Sequence, residues 1–590
     1  MTSAEIKEKK LSPLFFFFSL LKPYKKYLLI GFLALFITNL AQIFPPMFLN
    51  YLIDKLTGKE EISVAAITWS AFAIFALSAI KGIGRFAWRY HLGIAGHNAV
   101  FDLRTMLFIH LMRLPSKYFK KARLGDLMSV MTNDIQQVVY AMSIGFVMFY
   151  DALFFLTILP LIMIWMSPKL ALVMLLPFVL LSLSQYLLRK LFFDRAYEVR
   201  KRLADLTVKA EENLSGIRIV KGYCLENSEI ASFEDYTKRY KKASVRSVRL
   251  AALREAIFDM PSDLALFLLM FLGGTLVLKG EITIGVFVAF QSYMIMLRWP
   301  MTAVSILIQM FQETKAALFR CITILEEEPV YEHNDKLLPP AVEKDFAMTV
   351  KALCFAYPEG TAGALSNVSF TLKSGETLGI TGPVGSFKST LLKALMRIYE
   401  PQGGEVLFND SVSSKDLELQ EFQNYFAFVP QESFLFSESI QKNILFACED
   451  QENKEKAEHY AILAGLKKDL DSFPDGLQTL LGERGVNLSG GQKQRVSLAR
   501  ALASERPVLL LDDFTSAVDV ATENQIIAAV KENTPDIIKV IVSHRIKSIA
   551  DADHIICLSE DGKISQEGTH EELLKTNGLY ASLWERQKEF

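Results

Sequence analysis

The chain has 590 residues, of which 51% are hydrophobic and only 22% are charged, and its mean hydropathy is +0.24. This composition excludes a soluble multi-domain enzyme and an intrinsically disordered chain. The net charge of −1 conceals a division, because residues 1–340 carry 39 basic and 28 acidic side chains whereas residues 341–590 carry 25 and 37. A basic apolar half followed by an acidic polar half argues against a nucleic-acid binder, whose basic patch would lie on a soluble domain.

Six apolar stretches in the first half approach the length of about 20 residues that a helix needs to cross a bilayer. They occupy residues 27–53, 62–80, 135–168, 170–188, 264–278 and 282–297. After residue 328 the pattern changes to a Leu-Leu-Pro-Pro linker and to short strand-like alternations. The sequence therefore predicts an all-α transmembrane domain of six helices over residues 1–335 and a second domain over residues 336–590.

Basic residues determine the predicted orientation of these helices. The segments 81–134 and 189–255 hold 9 and 16 lysines and arginines, whereas the turns at residues 169 and 279–281 hold one each. Because basic segments stay in the cytoplasm, both long segments and both termini are predicted to be cytoplasmic, in a multi-pass protein of the cell membrane. The length and composition of these segments predict transmembrane helices that continue into the cytosol and turn there.

Two charged residues within or beside the spans are candidate substrate-pathway residues. Asp151 and Arg298 would each cost about 2.5–3.5 kcal/mol at the centre of a membrane helix, so each is predicted to face the bundle interior or a water-filled cavity. The alternatives are a structural ion pair and a position near the interface, where the side chain reaches water. Several large apolar residues of the later spans either line such a cavity or pack between helices and against lipid. They are Phe267, Met270, Phe271, Phe287, Phe290, Tyr293, Met294 and Met296.

The most informative stretch of the second half begins with the apolar strand pattern of residues 378–381. The residues that follow are Gly382, Pro383, Val384, Gly385, Ser386, Phe387, Lys388, Ser389 and Thr390, and a helical pattern continues from residue 391. A strand, a glycine-containing loop, Lys-Ser and a helix form the context in which backbone N–H groups hold phosphates. Lys388 would reach the β- and γ-phosphates, and the Ser389 hydroxyl would bind Mg²⁺. The second domain is therefore predicted to be an α/β P-loop domain that binds ATP and Mg²⁺.

One position departs from the P-loop pattern. The pattern G-x-x-x-x-G-K-S/T has glycine where this chain has Phe387. Glycine suits that position because the backbone passes close to phosphate and takes torsion angles that other residues avoid, so Phe387 is predicted to narrow or distort the site. The other parts of a nucleotide site nevertheless follow. Residues 508–512 predict a buried strand that ends in Asp512, a candidate Mg²⁺ ligand, and residues 541–544 predict a strand that ends in His544.

A further motif carries a family resemblance. Residues 488–495, Leu-Ser-Gly-Gly-Gln-Lys-Gln-Arg, lie about 100 residues after the P-loop and resemble the signature motif of ABC ATPases. The resemblance implies that the signature residues bind ATP held by a partner chain. These residues are Ser489, Gly490, Gly491 and Gln492. The resemblance also implies that Tyr357 stacks on adenine, that Gln431 takes part in ATP binding, Mg²⁺ coordination and catalysis, and that residues 516–519 form the D-loop.

The membrane half resembles ABC exporters as well. Residues 114–119 and 124–127 resemble the first cytoplasmic coupling loop, residues 214–221 resemble the second, and residues 482–485 resemble the segment that touches a partner's coupling helix. The implied coupling residues are Leu114, Ser116, Tyr118, Phe119, Gly216, Arg218, Glu483 and Arg484. The resemblance covers nearly the whole chain. It implies an alternating-access pump in which two six-helix halves form one pathway and two ATPase domains hold two ATP molecules, so this chain would be a half-transporter that works as a dimer.

The chain also departs from the catalytic pattern of this family. An active site of the family has a glutamate after the Mg²⁺ aspartate, where this chain has Asp513. The shorter side chain would set the carboxylate back by about 1.5 Å, and such a displacement can cost about a hundredfold in rate. His544 and Gln431 are implied as the other catalytic residues. Together, Phe387 and Asp513 predict a site that binds ATP but hydrolyses it poorly, which favours a heterodimer with a second gene product over a slow homodimer.

The leading functional hypothesis is ATP-driven export of amphipathic or hydrophobic compounds across the cytoplasmic membrane. Lipid and peptide are alternative substrates, and an ATP-gated channel or a regulatory ABC subunit is the alternative from a different class. The six apolar runs exclude a soluble ABC factor that acts on ribosomes or DNA. The predicted partners are a second half-transporter, the lipid bilayer and a hydrophobic small-molecule substrate, with no nucleic acid.

Overall fold

The structure, a computed structural model, describes residues 12–57, 64–329, 346–357, 365–482, 485, 487–514 and 520–588. The chain divides into two units, one of Met1–Leu111 with Leu124–Glu327 and one of Met112–Arg123 with Glu328–Phe590. The short helix Ser116–Lys121, in the predicted first coupling loop, thus belongs to the second unit. The domain boundary predicted between residues 335 and 336 lies outside the described residues.

The N-terminal half forms long helices because an apolar segment in lipid can satisfy its backbone only through its own hydrogen bonds. Among the described residues, the long helices are Lys25–Thr57, Val64–Arg113, Leu124–Met166, Pro168–Ser215, 226–278 and Ile284–Leu325. The short helices are Pro13–Leu21, Ser116–Lys121 and Ile217–Gly222. The π-helical turns that interrupt the long helices are Val130–Asp134, Ala141–Gly145 and Leu269–Gly273.

Four of the long helices are long and apolar enough to cross a membrane, when only the described residues are considered. They cover Pro13–Thr57, Ile67–Arg113, Leu124–Met166 and Ile284–Leu325. Two shorter apolar helical stretches, Pro168–Pro177 and Asp263–Leu278, lie on the remaining two long helices. Within the described residues, each of the six apolar runs predicted from the sequence therefore overlaps a different long helix.

In the first unit, called the membrane unit from here on, the helix Ile284–Leu325 packs against the helices Lys25–Thr57 and Phe146–Met166. Phe290 and Tyr293 are fully buried there, and the Tyr293 hydroxyl donates a hydrogen bond to the Ile43 carbonyl (3.1 Å). Aromatic residues of this helix therefore hold the bundle together. Of the other residues proposed for a cavity wall, Met294 is also buried, whereas Phe267, Met270 and Phe271 are exposed on the surface of the unit.

The second unit contains two sheets among its described residues. Its strands are β1 (Ala347–Phe355), β2 (Leu365–Lys373), β3 (Thr377–Thr381), β4 (Gly403–Phe408), β5 (Val412–Ser413), β6 (Phe426–Val429), β7 (Val508–Asp512), β8 (Ile538–Val542), β9 (His554–Leu558) and β10 (Ile564–Gly568). An antiparallel sheet has the order β2-β1-β4-β5, and a six-stranded sheet has the order β10-β9-β3-β8-β7-β6. In the larger sheet β9, β3, β8, β7 and β6 run parallel, and β10 is antiparallel to β9.

Helices surround these sheets. The helices of this unit are Lys388–Leu395, Leu419–Gln423, Ile440–Ile444, Lys454–Leu463, Lys467–Ser472, Gly490–Ala503, Val520–Asn533, His570–Lys575 and Leu579–Lys588. Strands β3, β7 and β8 are buried along their whole length, since parallel strands are covered on both faces. Because these three strands are neighbours and parallel, the residues that follow them meet at one edge of the sheet, where α/β folds place their ligands.

Candidate ATP site and membrane cavity

The phosphate loop, residues 382–387, joins β3 to the helix Lys388–Leu395. Gly382 has a φ of +150°, and a Cβ atom there would lie 2.4 Å from the carbonyl oxygen of Leu558, so only glycine fits without moving β9. Gly385 has a φ of +87°, again in the region that favours glycine. Pro383 and Val384 form the tip of the loop, and Val384 is highly exposed. The loop therefore has the backbone that a phosphate cradle requires at its first and fourth positions.

Lys388 is buried beneath this loop. Its Nζ donates hydrogen bonds to the carbonyl oxygens of Gly382 (3.0 Å) and Pro383 (2.8 Å) and to Ser386 Oγ (3.3 Å). Burial lowers the pKa of Lys388, and the nearby carboxylates of Asp513 and Asp512 oppose that shift. The ammonium group is thus held by loop oxygens, within the cradle where phosphate oxygens would offer it stronger partners.

Ser389 and Asp512 form the pair expected of a Mg²⁺ site. The Ser389 hydroxyl donates to Asp512 Oδ1 (2.8 Å), which brings together residues from the helix after β3 and from the end of β7. Burial raises the pKa of Asp512, and the hydrogen bond from Ser389 opposes that shift. A hydroxyl and a carboxylate at the mouth of a phosphate loop are hard oxygen donors of the kind that Mg²⁺ prefers. The residues present therefore fit Mg²⁺ bound with ATP.

Asp513, Gln431 and His544 lie around the same edge of the sheet. Gln431 Nε2 lies 3.5 Å from Asp513 Oδ2, and the backbone N–H of Asp513 donates to the Val542 carbonyl (2.9 Å) at the end of β8. Desolvation and the positive charge of Lys388 lower the pKa of His544, while Asp513 opposes that shift. The structure thus brings together the three residues that the sequence proposed as catalytic.

Phe387 adopts a left-handed conformation, with φ +64° and ψ +23°, at the start of the helix Lys388–Leu395. Such a conformation costs about 1–2 kcal/mol for a residue with a side chain. The Phe387 carbonyl still accepts the N–H of Leu391 (2.9 Å), and its ring packs against the apolar core of the unit. The loop therefore has a left-handed residue at the position where the P-loop pattern has glycine, and the phenylalanine there makes that conformation strained.

An aromatic cluster, Phe355, Tyr357 and Tyr399, lies beside the phosphate loop. The Tyr357 ring contacts those of Phe355 and Tyr399 at centroid distances of 5.0 and 5.5 Å, and its hydroxyl is 2.8 Å from Thr390 Oγ1. Lys120, from the short helix Ser116–Lys121, places its Nζ 4.3 Å from the Tyr399 ring centroid and 5.6 Å from that of Tyr357. Lys120 also donates to the Tyr399 hydroxyl. Tyr357, the residue proposed to stack on adenine, therefore contacts both the helix that follows the phosphate loop and a lysine of the predicted coupling loop.

The signature segment begins the helix Gly490–Ala503 with a complete capping box. Ser489 Oγ accepts the N–H of Gln492 (3.3 Å), and Gln492 Oε1 accepts the N–H of Ser489 (2.8 Å). The Gln492 amide also donates to Asp469 (2.9 Å), which pairs with Arg495 (2.7 Å). Ser489, Gly490, Gly491 and Gln492 thus form a fully capped helix N-terminus, the kind of site that attracts phosphate.

A cavity of about 800 Å³ lies within the membrane unit. Asp151 lines it and accepts a hydrogen bond from Asn39 Nδ2 (2.7 Å). Arg298 does not line it, so the structure brings only one of the two proposed pathway residues to this cavity. Met296 is the only residue in the proposed apolar set that contributes to its wall.

Comparison with known proteins adds the family. Residues 28–301 match the family described as "ABC transporter transmembrane region", and residues 365–516 match "ABC transporter". The probable multidrug resistance ABC transporter ATP-binding/permease protein YheI of Bacillus subtilis (strain 168) is 32% identical over 563 residues, 95% of each chain. The ATP-dependent lipid A-core flippase of Vibrio vulnificus (strain CMCP6) is 31% identical over 560 residues, again 95% of each chain. The chain belongs to the ABC transporter family.

The fold of this ABC transporter is also that of a known exporter. A bacterial Atm1-family ABC exporter with ATP bound superimposes with a TM-score of 0.77, at 22% identity, over 95% of this chain and 99% of the other. The predicted fold class, a helical membrane domain followed by an ABC ATPase domain, is confirmed. As a member of this family the chain is an ATP-driven membrane exporter whose ATPase domain binds ATP, generally with Mg²⁺, and exporters of this family act as dimers.

The coupling segments of this ABC transporter differ in their surroundings. Leu114 is buried and precedes the short helix of the second unit, and Ser116, Tyr118 and Phe119 belong to that helix, where Phe119 is exposed. Gly216 and Arg218 lie at the second turn, in the first unit, and Arg218 is exposed. The proposed contacts of Glu483 and Arg484, and the D-loop at 516–519, lie outside the described residues.

Sequence reasoning missed the residues that fix the loop carrying His544. Arg545 Nη1 donates to Glu523 (2.8 Å), a carboxylate that is almost completely buried and also accepts from Ser548. Gln587, from the C-terminal helix of the described chain, donates to the His544 carbonyl (2.6 Å). A glutamate on an amphipathic helix gives no local signal of such a role, because the partners lie more than twenty residues away in sequence.

Proposed function

We propose that this chain is one half of a dimeric ABC exporter that moves amphipathic or hydrophobic compounds out of the cytoplasm by alternating access. The convergence of Lys388, Ser389 and Asp512 at one edge of the sheet supports ATP binding in this chain's own P-loop. The names of the relatives, one a multidrug resistance transporter and one a lipid A-core flippase, support amphipathic drugs or lipids as substrates.

In this proposal ATP is held by residues of both chains. This chain contributes the phosphate loop and Tyr357 to one site, with Ser389, Gln431 and Asp512 around Mg²⁺, and it contributes its signature, beginning at Ser489, to the partner's site. Mg²⁺ supplies charge neutralisation at the phosphates when it is bound. Lys388 is the residue that neutralises phosphate charge from the protein side, and His544 and Gln431 orient the groups around the terminal phosphate.

We propose further that this chain's own site is degenerate and that its partner is a different chain. The observation that carries this proposal is the pair of departures at Phe387 and Asp513. Asp513 stands at the position of the catalytic glutamate, and its side chain is one methylene shorter. Phe387 has the left-handed backbone conformation that favours glycine, which is strained for a residue with a side chain. The signature residues, by contrast, match the family pattern and form a complete capping box. A chain whose own site hydrolyses ATP slowly, and whose signature motif can complete a partner's site, is the kind of subunit that an asymmetric dimer contains.

Purification of this chain alone, and of this chain co-expressed with the product of the neighbouring gene, tests the proposal. Both preparations would be reconstituted in lipid and compared for ATP hydrolysis per dimer. We expect slow turnover by the lone chain and fast turnover by the complex. Robust turnover by the lone chain would overturn the degenerate-site proposal while leaving the export function intact.

Export itself is tested in inside-out vesicles that contain the complex. We expect ATP-dependent accumulation of an amphipathic fluorescent substrate against its gradient, and no accumulation after Lys388 and the equivalent partner lysine are both replaced. Passive flux that is opened by ATP binding and never exceeds the equilibrium distribution would contradict a pump and indicate a channel.

A further inference from the structure

The cavity of the membrane unit has an unequal charge lining. Two arginines, Arg85 and Arg89, face a single acidic residue, Asp151, among the residues that line it. Asp151 already accepts a hydrogen bond from Asn39 and lies close enough to Arg85 to interact with it electrostatically. Lys81 lies one turn before Arg85 on the same helix, and the positive charges of the two side chains repel each other. Positive charge therefore exceeds negative charge at this place in the membrane domain.

The remaining wall combines hydrogen-bond donors with an apolar surface. The indole N–H of Trp88 is buried and has no hydrogen-bond partner in the part of the chain that the structure describes. Phe155, Met148 and Trp299 supply apolar and aromatic surface. The π-helical turn Ala141–Gly145 lies in the wall, and such turns occur frequently at functional sites.

We propose that this cavity binds amphipathic organic anions, with Arg85 and Arg89 holding the acidic group and the aromatic wall holding the apolar body. The proposal deepens the export function and rests on it for the fate of the bound molecule. Guanidinium groups in a membrane domain are costly unless their charge is compensated, and the single carboxylate of Asp151 balances the charge of only one of the two. A phosphate, sulfonate or carboxylate group would accept fork-like hydrogen bonds from both arginines and from the Trp88 N–H.

The proposal excludes two simpler substrate classes. A neutral apolar compound would leave the excess positive charge of the cavity uncompensated, and a cationic compound would add to that excess. Asp151 limits the preference, because its carboxylate repels part of an anionic head group and would favour a head group that also carries a small cationic or hydrogen-bonding part.

The test measures equilibrium binding without nucleotide. The full chain in lipid nanodiscs would be titrated at alkaline pH with dansylaminoundecanoic acid, its methyl ester and the corresponding amine, three probes that share one apolar body. Energy transfer from Trp88 and Trp299 to the dansyl group reports occupation of the cavity, and Trp299→Phe should reduce the transfer signal if the probe binds there. We expect the acid to bind more tightly than both the ester and the amine.

Matched substitutions locate the preference. Arg85→Gln and Arg89→Gln should each weaken binding of the acid about tenfold, the size of one charge-assisted hydrogen bond, and leave the ester unchanged. Arg85→Lys should recover part of the loss. Asp151→Asn should strengthen binding of the acid. Arg104→Gln removes an arginine from the same helix outside the cavity and should have no effect.

The outcomes separate this proposal from the export function. Equal binding of acid and ester, tighter binding of the amine, or an equal loss in Arg104→Gln would overturn the anion proposal, even if ATP-driven export is observed. A preference for the acid that is lost with Arg85 or Arg89 supports it, even if vesicles show no ATP-driven accumulation, since binding is measured without ATP. Normal nucleotide binding by each variant at the P-loop shows that the chain is folded.

Discussion

The two nucleotide-facing sides of the ATPase domain differ in how well they follow the pattern of their family. On the P-loop side, Phe387 holds a left-handed conformation that suits glycine, and Asp513 stands where a glutamate is expected. On the signature side, Ser489 and Gln492 form a complete capping box, and Gln492 and Arg495 both contact Asp469. This contrast is what the proposed asymmetric dimer requires, because there the signature side completes the partner's site and the P-loop side belongs to this chain's own site.

The largest effect is expected from a substitution in the signature motif. In the complex with its partner, Ser489→Arg should reduce ATP hydrolysis about a hundredfold, the size of losing a phosphate-binding donor from an active site. The reason is that arginine cannot accept the Gln492 N–H and places a bulky side chain at the helix N-terminus. Steady-state phosphate release measures the effect.

Two further variants make this test specific. Ser489→Thr keeps a capping hydroxyl and should retain most of the activity. Lys388→Ala, which damages this chain's own P-loop, should reduce turnover much less than Ser489→Arg. An equal loss in the two variants would mean that both sites hydrolyse ATP, and the contrast between the two sides would disappear.

The sheet under the P-loop carries a buried lysine that gives a pH dependence. Lys539, on β8 next to β3, donates to the carbonyls of Thr534 (2.6 Å) and Ile537 (3.1 Å), and burial lowers its pKa to about 8. Between that value and the usual 10.5, the unfolded chain binds a proton that the folded chain does not, so this residue's contribution to stability rises with pH. Relative to Lys539→Met, the wild-type free energy of unfolding should gain about 2–3 kcal/mol from neutral pH to pH 10.5.

Denaturant unfolding of the full chain in detergent, followed at the transition of the ATPase domain, measures this difference. Lys468→Met is the control for the loss of a lysine, because Lys468 is exposed on the helix Lys467–Ser472 and is not among the charges that act on Lys539. A pH-independent difference between wild type and Lys539→Met would show that Lys539 is as easily protonated in the folded domain as in the unfolded chain.

A glutamate at position 513 tests whether the short carboxylate of Asp513 limits ATP hydrolysis at this chain's own site. Asp513→Glu is expected to raise hydrolysis at this chain's own site about tenfold, less than the full cost of a misplaced group, because Phe387 remains. Single-turnover hydrolysis in a complex whose partner site has been inactivated isolates the effect. Asp513→Asn should give no increase. Full recovery in Asp513→Glu alone would show that Phe387 does not impair the site.

The smallest expected effect concerns the strain at Phe387. Phe387→Gly and Phe387→Ala both remove the ring from its packing against the core, but only glycine relieves the left-handed backbone. Phe387→Gly should therefore be more stable than Phe387→Ala by about 1 kcal/mol, the reverse of the usual order of these residues in a helix. Thermal unfolding of the two variants side by side measures this difference. A more stable alanine variant would mean that the loop adopts another conformation in solution.

Much of this fold was predictable because its signals are local. An apolar run in lipid must be helical, and a glycine-rich loop between a strand and a helix can bind phosphate, so six long helices and the P-loop followed from short segments. The conformation of Phe387 was not predicted: from the sequence, the side chain was expected to narrow or distort the site, and the residue instead takes the left-handed backbone of the glycine that the pattern has there. By contrast, Lys120 and Tyr399 are 279 residues apart in sequence, and no local signal links them.

The intramembrane charges show the limit of such reasoning. Because a charge is costly in lipid, the sequence predicted that both Asp151 and Arg298 face the bundle interior or a cavity. Of the two, only Asp151 lines the cavity. The sequence also did not single out Arg85 and Arg89, which line the same cavity, because their position near the end of an apolar run suggested a cytoplasmic extension. Which helix faces a cavity depends on packing between helices, and that information is distributed over the whole bundle.

The second cytoplasmic turn has a consequence for the life of the subunit in the cell. Ile219 and Tyr223, on and just after the helix Ile217–Gly222, are 66% and 75% exposed, at the tip of two long helices. Apolar side chains grouped at such a tip attract chaperones and proteases until another protein covers them. In the proposed heterodimer, a subunit made without its partner would therefore be removed, and the cell would match the amounts of the two chains through the lifetime of the excess one.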